Sequence, residues 1–94
     1  MGWNIESSYN MSASEQAGFV QIVNNAIHYK GWNNRSAVTN YVYEQCQKEF
    51  PASGRKWVVL YDTNGAFSIQ TSYDKEIFVC EPAGNDEYIF AARV

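Results

Sequence analysis

The side chains able to do chemistry are few and scattered. One histidine, His28, and two cysteines, Cys46 and Cys80, stand in 94 residues. A base or a thiol nucleophile needs a partner to activate it, and no carboxylate or cysteine sits at a helical spacing beside His28. His28 is read as a structural residue close to the end of a helix, where a cation meets the macrodipole favourably. Cys46 falls on an apolar helical stripe and Cys80 follows three apolar residues in a strand, so both are expected as reduced core thiols. A metal needs three or four converging ligands, and the chain has no CxxC, no HxxxH and no clustered aspartate loop. No metal or cofactor is expected. No glycine-rich phosphate loop leads from a strand into a helix. Asp74, Glu76, Glu81, Asp86 and Glu87 gather late in the chain and are read as solvated turns and strand ends, not as a catalytic pair. A protein without catalysis is expected; the reading from a different class is a small enzyme using Cys46 or Cys80 as nucleophile.

Charge and composition narrow the partners. Seven Lys and Arg against ten Asp and Glu give a formal charge of -3, with no basic run to meet a phosphate backbone, so nucleic acid is not expected. The longest apolar stretches have strand length, short of the roughly 20 residues of a membrane span. The start, Met1-Gly2-Trp3-Asn4-Ile5-Glu6, lacks the pattern of an export leader and puts Glu where a myristoylation motif wants Ser or Thr. A cytoplasmic protein is expected. Hydrophobic residues make up 46% of the chain and aromatics 16%, which supports one folded domain over residues 1–94.

The elements that must carry these residues are legible in outline. Ser12-Ala13-Ser14-Glu15 is a capping box, and Phe19, Ile22, Val23, Ala26 and Ile27 then follow the stripe of a helix buried on one side, ended by Gly31. A second helix starts at Asn33 or Asn34, carries Val38, Tyr41, Val42 and Cys46 on one face, and closes at Phe50 before Pro51. Beyond Pro51 the period drops to 2. Lys56 to Tyr61, Phe67 to Thr71, Ile77 to Cys80 and Tyr88 to Ala92 read as four strands separated by turn-forming residues, and Trp3-Asn4-Ile5 adds a possible short edge strand within a start that is otherwise loose over 1–10. Strands that follow one another without intervening helices cannot build βαβ crossovers. The fold class is therefore α+β, two helices packed on an antiparallel sheet. Such a sheet has edges, and the strand Phe67, Ser68, Ile69, Gln70, Thr71 has no charge or proline to protect it. It is the candidate for pairing with another chain, with an inner-strand position the equal alternative.

The order and spacing of Ala37-Val38-Thr39-Asn40-Tyr41-Val42, Lys48-Glu49-Phe50 and Lys56-Trp57-Val58-Val59-Leu60, continuing to Ala92, resemble the short dynein light chains of the peptide-binding hub type. That resemblance implies a strand-swapped dimer, with Phe67, Ser68, Ile69, Gln70 and Thr71 lent to the partner's sheet and Trp57, Val58 and Phe67 near the subunit interface. It also implies that an extended partner segment resembling Thr-Gln-Thr lies along the lent strand, with Arg35 and Ser36 at the second helix's N-terminus contacting it. The implied partner is a larger protein such as a dynein intermediate chain, in the cytoplasm and cytoskeleton or in a ciliary axoneme. A heterodimer with another light chain that binds no free peptide is the alternative. The chain departs from the family at Val58, where an interface histidine is common, so acid-triggered dissociation through that position is not expected. The loop from Pro51 to Lys56 is longer, Asn64-Gly65 favours a tight hairpin, and Ile77, Phe78 and Val79 stand where the family has groove aromatics.

Overall fold

Ser12 starts the first helix with both halves of its capping box made. Its hydroxyl accepts the Glu15 amide at 3.1 Å, and its own amide donates to the Glu15 carboxylate at 2.9 Å. The helix, α1, runs Ala13–Lys30 and ends at Gly31, whose φ of 86° suits a residue without a Cβ and whose amide bonds the Ile27 carbonyl. Asn34 caps the second helix, α2, Arg35–Glu49, by accepting the Ala37 amide. The apolar stripes face inward: Phe19, Ile22, Val23 and Ala26 of α1 and Val38, Val42 and Cys46 of α2 are buried, while Ile27 and Tyr41 are partly buried against them. His28 lies in the last turn of α1.

The computed structural model describes residues 3–50, 54–63, 73–82 and 86–94. Within these, four strands form one antiparallel sheet: β1 Asn4–Tyr9, β2 Trp57–Asp62, β3 Lys75–Cys80 and β4 Tyr88–Arg93, in the order β1-β3-β4-β2. The α+β class with two helices on an antiparallel sheet is thus the observed one. The expected strand from Phe67 to Thr71 and the Asn64-Gly65 turn lie outside the described residues. The N-terminal strand is longer than the three residues its pattern suggested. All six of its residues are exposed, so no alternation marked it; it is held by pairing with β3.

The core sits between the helices and one face of the sheet, where Trp57, Ile77, Val79, Ile89 and Ala91 meet the helical stripes. Burying a side chain of this size contributes roughly 1.5–3 kcal/mol. Trp57, 2% exposed, also donates its indole N–H to the Phe50 carbonyl at 2.9 Å. That bond fastens the end of α2 to the start of β2. On the opposite face Phe78 packs on Phe90 and Tyr88, and β2 adds Val58 and Leu60, 38% and 37% exposed.

The expectations for Cys80 and for three of the late acidic residues are corrected. Cys80 is not a core thiol. It lies half-buried on the outer face and donates its S–H toward the Glu6 carboxylate at 3.5 Å, because its place in β3 puts its side chain opposite that of Val79. Glu81 and Glu87 are not solvated; both are buried. Glu87 pairs there with Arg35, 52 positions away in the chain. Asp74 is held as well, in a fork with Arg93 at 3.0 and 2.7 Å.

Candidate functional site

The two outer strands of the sheet differ in what their free edges offer. β1 carries a bulge: Ile5 and Ser7 oppose the consecutive residues Val79 and Phe78, leaving Glu6 unmatched. A bulge and a charge are both devices that discourage another strand from adding. β2 has neither. Its register against β4 is unbroken from Trp57 to Asp62, it contains no proline or lysine, and its one charge is at its end. Among the described residues, no strand pairs with its far side.

The ladder fixes which backbone groups that far side presents. Lys56 and Val94 exchange both of their backbone hydrogen bonds, at 3.3 and 2.7 Å. Bonded pairs recur at every second residue of an antiparallel ladder, which carries the pattern to Val58 with Ala92, Leu60 with Phe90 and Asp62 with Tyr88. The Glu81 amide bonded to the Glu87 carbonyl gives the same phase on the other side of β4. Trp57, Val59 and Tyr61 therefore turn their N–H and C=O groups toward the open edge. Their side chains point to the helices, so an added strand would project alternate side chains under α2 and across the outer face.

Above this edge, α2 forms the wall of an open groove of about 580 Å³. Arg35, Ser36, Thr39, Asn40 and Tyr43 line it from the helix, and Val59, Leu60 and Tyr61 from the strand. The spacing 35, 36, 39, 40, 43 is one face of a helix, so the i, i+4 repeat that buries Val38, Val42 and Cys46 leaves this polar face over β2. Thr39 turns its hydroxyl back to the Arg35 carbonyl at 2.8 Å, and Tyr43 accepts a bond from Gln47 at 3.2 Å. The wall is rich in hydroxyl and amide groups. A second trough, about 550 Å³, lies between α1 and α2 and includes Gln21, Asn25, Gln45 and Glu49. Helix backbones bond internally, so that trough has no free ladder for an extended chain.

At the mouth of the groove the Glu87 carboxylate, 6% exposed, accepts from Arg35 Nε at 3.2 Å and Nη2 at 3.1 Å and from the Tyr61 hydroxyl at 2.9 Å. The guanidinium lies 5.6 Å from the centre of the Tyr61 ring. Burial, together with this bond to Glu87, raises the Tyr61 pKa and keeps the hydroxyl protonated as a donor. The bond to Glu87 likewise raises the Arg35 pKa. Sequence reasoning missed Glu87 because its partners come from α2 and β2, far away in the chain.

The structure brings Arg35 and Ser36 together with β2 in one groove. Trp57 lies beneath that edge with its side chain in the core, and Val58 is on the outer face beside Ala92. Phe67, Ser68, Ile69, Gln70 and Thr71 lie outside the described residues. Burial pushes the Cys46 thiol up to about 12, and burial, followed by the Glu6 charge, raises Cys80, so neither thiol is activated toward its thiolate. Among the described residues no group of three or more His, Cys, Asp and Glu side chains could hold a metal, and no helix is long and apolar enough to cross a membrane. Compared with protein-family models and with curated proteins, the chain matches none.

Proposed function

We propose that this chain is a non-catalytic dynein light chain that works as a dimer and holds an extended segment of a larger protein, such as a dynein intermediate chain, by strand addition. The observation that carries the reading is the unprotected edge of β2 beneath the polar face of α2. A strand from a second subunit, with the sequence Phe67, Ser68, Ile69, Gln70, Thr71, adds to that edge through Trp57, Val59 and Tyr61. Its alternation of apolar and polar residues suits an edge with an apolar outer face on one side and a hydroxyl-rich wall on the other. The partner segment continues the sheet along the lent strand, with Arg35 and Ser36 at its end. Val58 and Leu60, exposed next to Ala92 and Phe90, supply apolar surface for the second subunit.

Main-chain bonds give such a groove affinity and alternate side chains give it selectivity. Two roughly micromolar grooves on one rigid dimer hold two parallel chains through effective concentration. The reading places the protein in the cytoplasm and cytoskeleton, or in a ciliary axoneme. Titration of a ten-residue peptide centred on Thr-Gln-Thr, followed by amide chemical shifts, tests it. Shifts concentrated in the first turn of α2 and in residues 67–71 are expected. A titration that leaves both unperturbed at millimolar peptide contradicts it.

A further inference from the structure

Arg35 is the one charged side chain among the described residues that line the groove, and its charge is answered from behind. Glu87, in the lead into β4, is nearly buried, while the Arg35 side chain is 47% exposed. The carboxylate takes two of the five guanidinium N–H groups and the Tyr61 hydroxyl. The guanidinium also bonds the Tyr61 hydroxyl, and its remaining N–H groups are left for an acceptor in the groove. With Glu87 behind it, the guanidinium presents donors without a net charge: the pair leaves a short dipole whose field decays faster than that of a single ion. Without Glu87, the same side chain would be a free cation over an open trough and would favour a carboxylate.

We infer that Glu87 is a positioning residue that sets the charge preference of the groove: by cancelling Arg35 while holding its donors in place, it makes the site take a neutral acceptor side chain, a carboxamide or hydroxyl, and disfavour a carboxylate. This deepens the proposed peptide-binding reading and rests on it. A guest carboxylate has to shed more hydration than a carboxamide, and the neutral pair does not repay that cost. A guest carboxamide needs an acceptor's partner, which Arg35 supplies, and a donor's partner, which the hydroxyl and amide groups of Thr39 and Asn40 supply.

The experiment uses the full chain and three fluorescent ten-residue peptides in which Thr and Val alternate, carrying Gln, Glu or Lys at one central Thr position. Anisotropy is read for the natural protein, Glu87→Gln, Arg35→Gln and the double variant, at low and high salt. The natural protein is expected to bind the Gln peptide most tightly. Glu87→Gln should shift the ratio of Glu-peptide to Gln-peptide affinity roughly tenfold toward Glu, the scale of one partly exposed unit charge, and added salt should shrink the shift. Arg35→Gln, which leaves the Glu87 charge unanswered, should move the preference toward Lys, and the double variant should restore the natural ranking. That mirror pair keeps the test decisive if one variant folds poorly. A merely structural Glu87 would weaken all three peptides by one common factor, and that result overturns the inference while leaving the groove intact. No binding of any peptide to the natural protein overturns the groove itself, and the inference with it.

Discussion

Cys46 shows how far residue type and position alone reach. Its place on the α2 stripe predicts a core thiol, and the structure puts it fully inside. Cys80 was misplaced because a run of apolar residues in a strand does not say which face each one takes; neighbours alternate, and Val79 took the core. With its thiol held near 12 by burial, Cys46 should react with a maleimide at pH 7 only when the chain unfolds, as read by mass spectrometry of folded and denatured samples. Cys80 should label faster than Cys46 but slower than a free thiol, since burial and the Glu6 charge both disfavour its thiolate. Rapid labelling of Cys46 in the folded protein would reopen the nucleophile reading. Glu87 was illegible for a different reason: a buried acid and a surface acid look the same in a sequence until the fold supplies the partner.

At the scale of elements, the helices were legible because caps and apolar period agree. Ser12 with Glu15, Gly31 after the last turn, and Asn34 each mark an end that the structure keeps. Ser12→Ala removes one half of the capping box and should cost about 1 kcal/mol, measured by urea unfolding at neutral pH. A core truncation should cost more: Phe19→Ala should lose about 3–5 kcal/mol, enough to unfold much of a small domain's population. The strands from Trp57, from Lys75 and from Tyr88 could be read from their composition. Their order could not, because β1 lies beside β3 and β2 lies beside β4 rather than in chain sequence. The sheet's unprotected edge therefore could not be assigned from pattern, and β2 emerges as that edge only once its neighbours are known.

Across the whole molecule, charge clusters tie the two ends of the sheet. At one end Asp74 meets Arg93 and Arg55, and Lys75 meets Glu15; at the other stand Arg35, Glu87 and Tyr61. The Arg93 bond holds Asp74 below its ordinary value of 3.8, and the Ser12 amide holds Glu15 below 4.5. Both folded values are depressed, so this stabilisation is fully present above those ordinary values and is lost as pH falls through the lower, folded ones. Melting temperature should fall below about pH 4.5, and Asp74→Asn should lower it at pH 7 and flatten the acid limb. The proposed dimer should respond differently to pH. In the proposed dimer the interface position beside Trp57 is Val58, which does not titrate, and the one histidine, His28, is on α1. The light-scattering mass of a dimer should therefore stay constant from pH 7 to pH 5.

The parity of the β2 ladder offers the sharpest test. Amide hydrogen exchange at Trp57, Val59 and Tyr61, compared with Val58 and Leu60, should be followed by NMR from micromolar to millimolar protein. Val58 and Leu60, already bonded to β4, should be slow throughout, whereas Trp57, Val59 and Tyr61 should slow together as a second subunit's strand closes the edge. If those three amides exchange at one fast rate at every concentration while the mass remains that of a single chain, strand addition at β2 is contradicted.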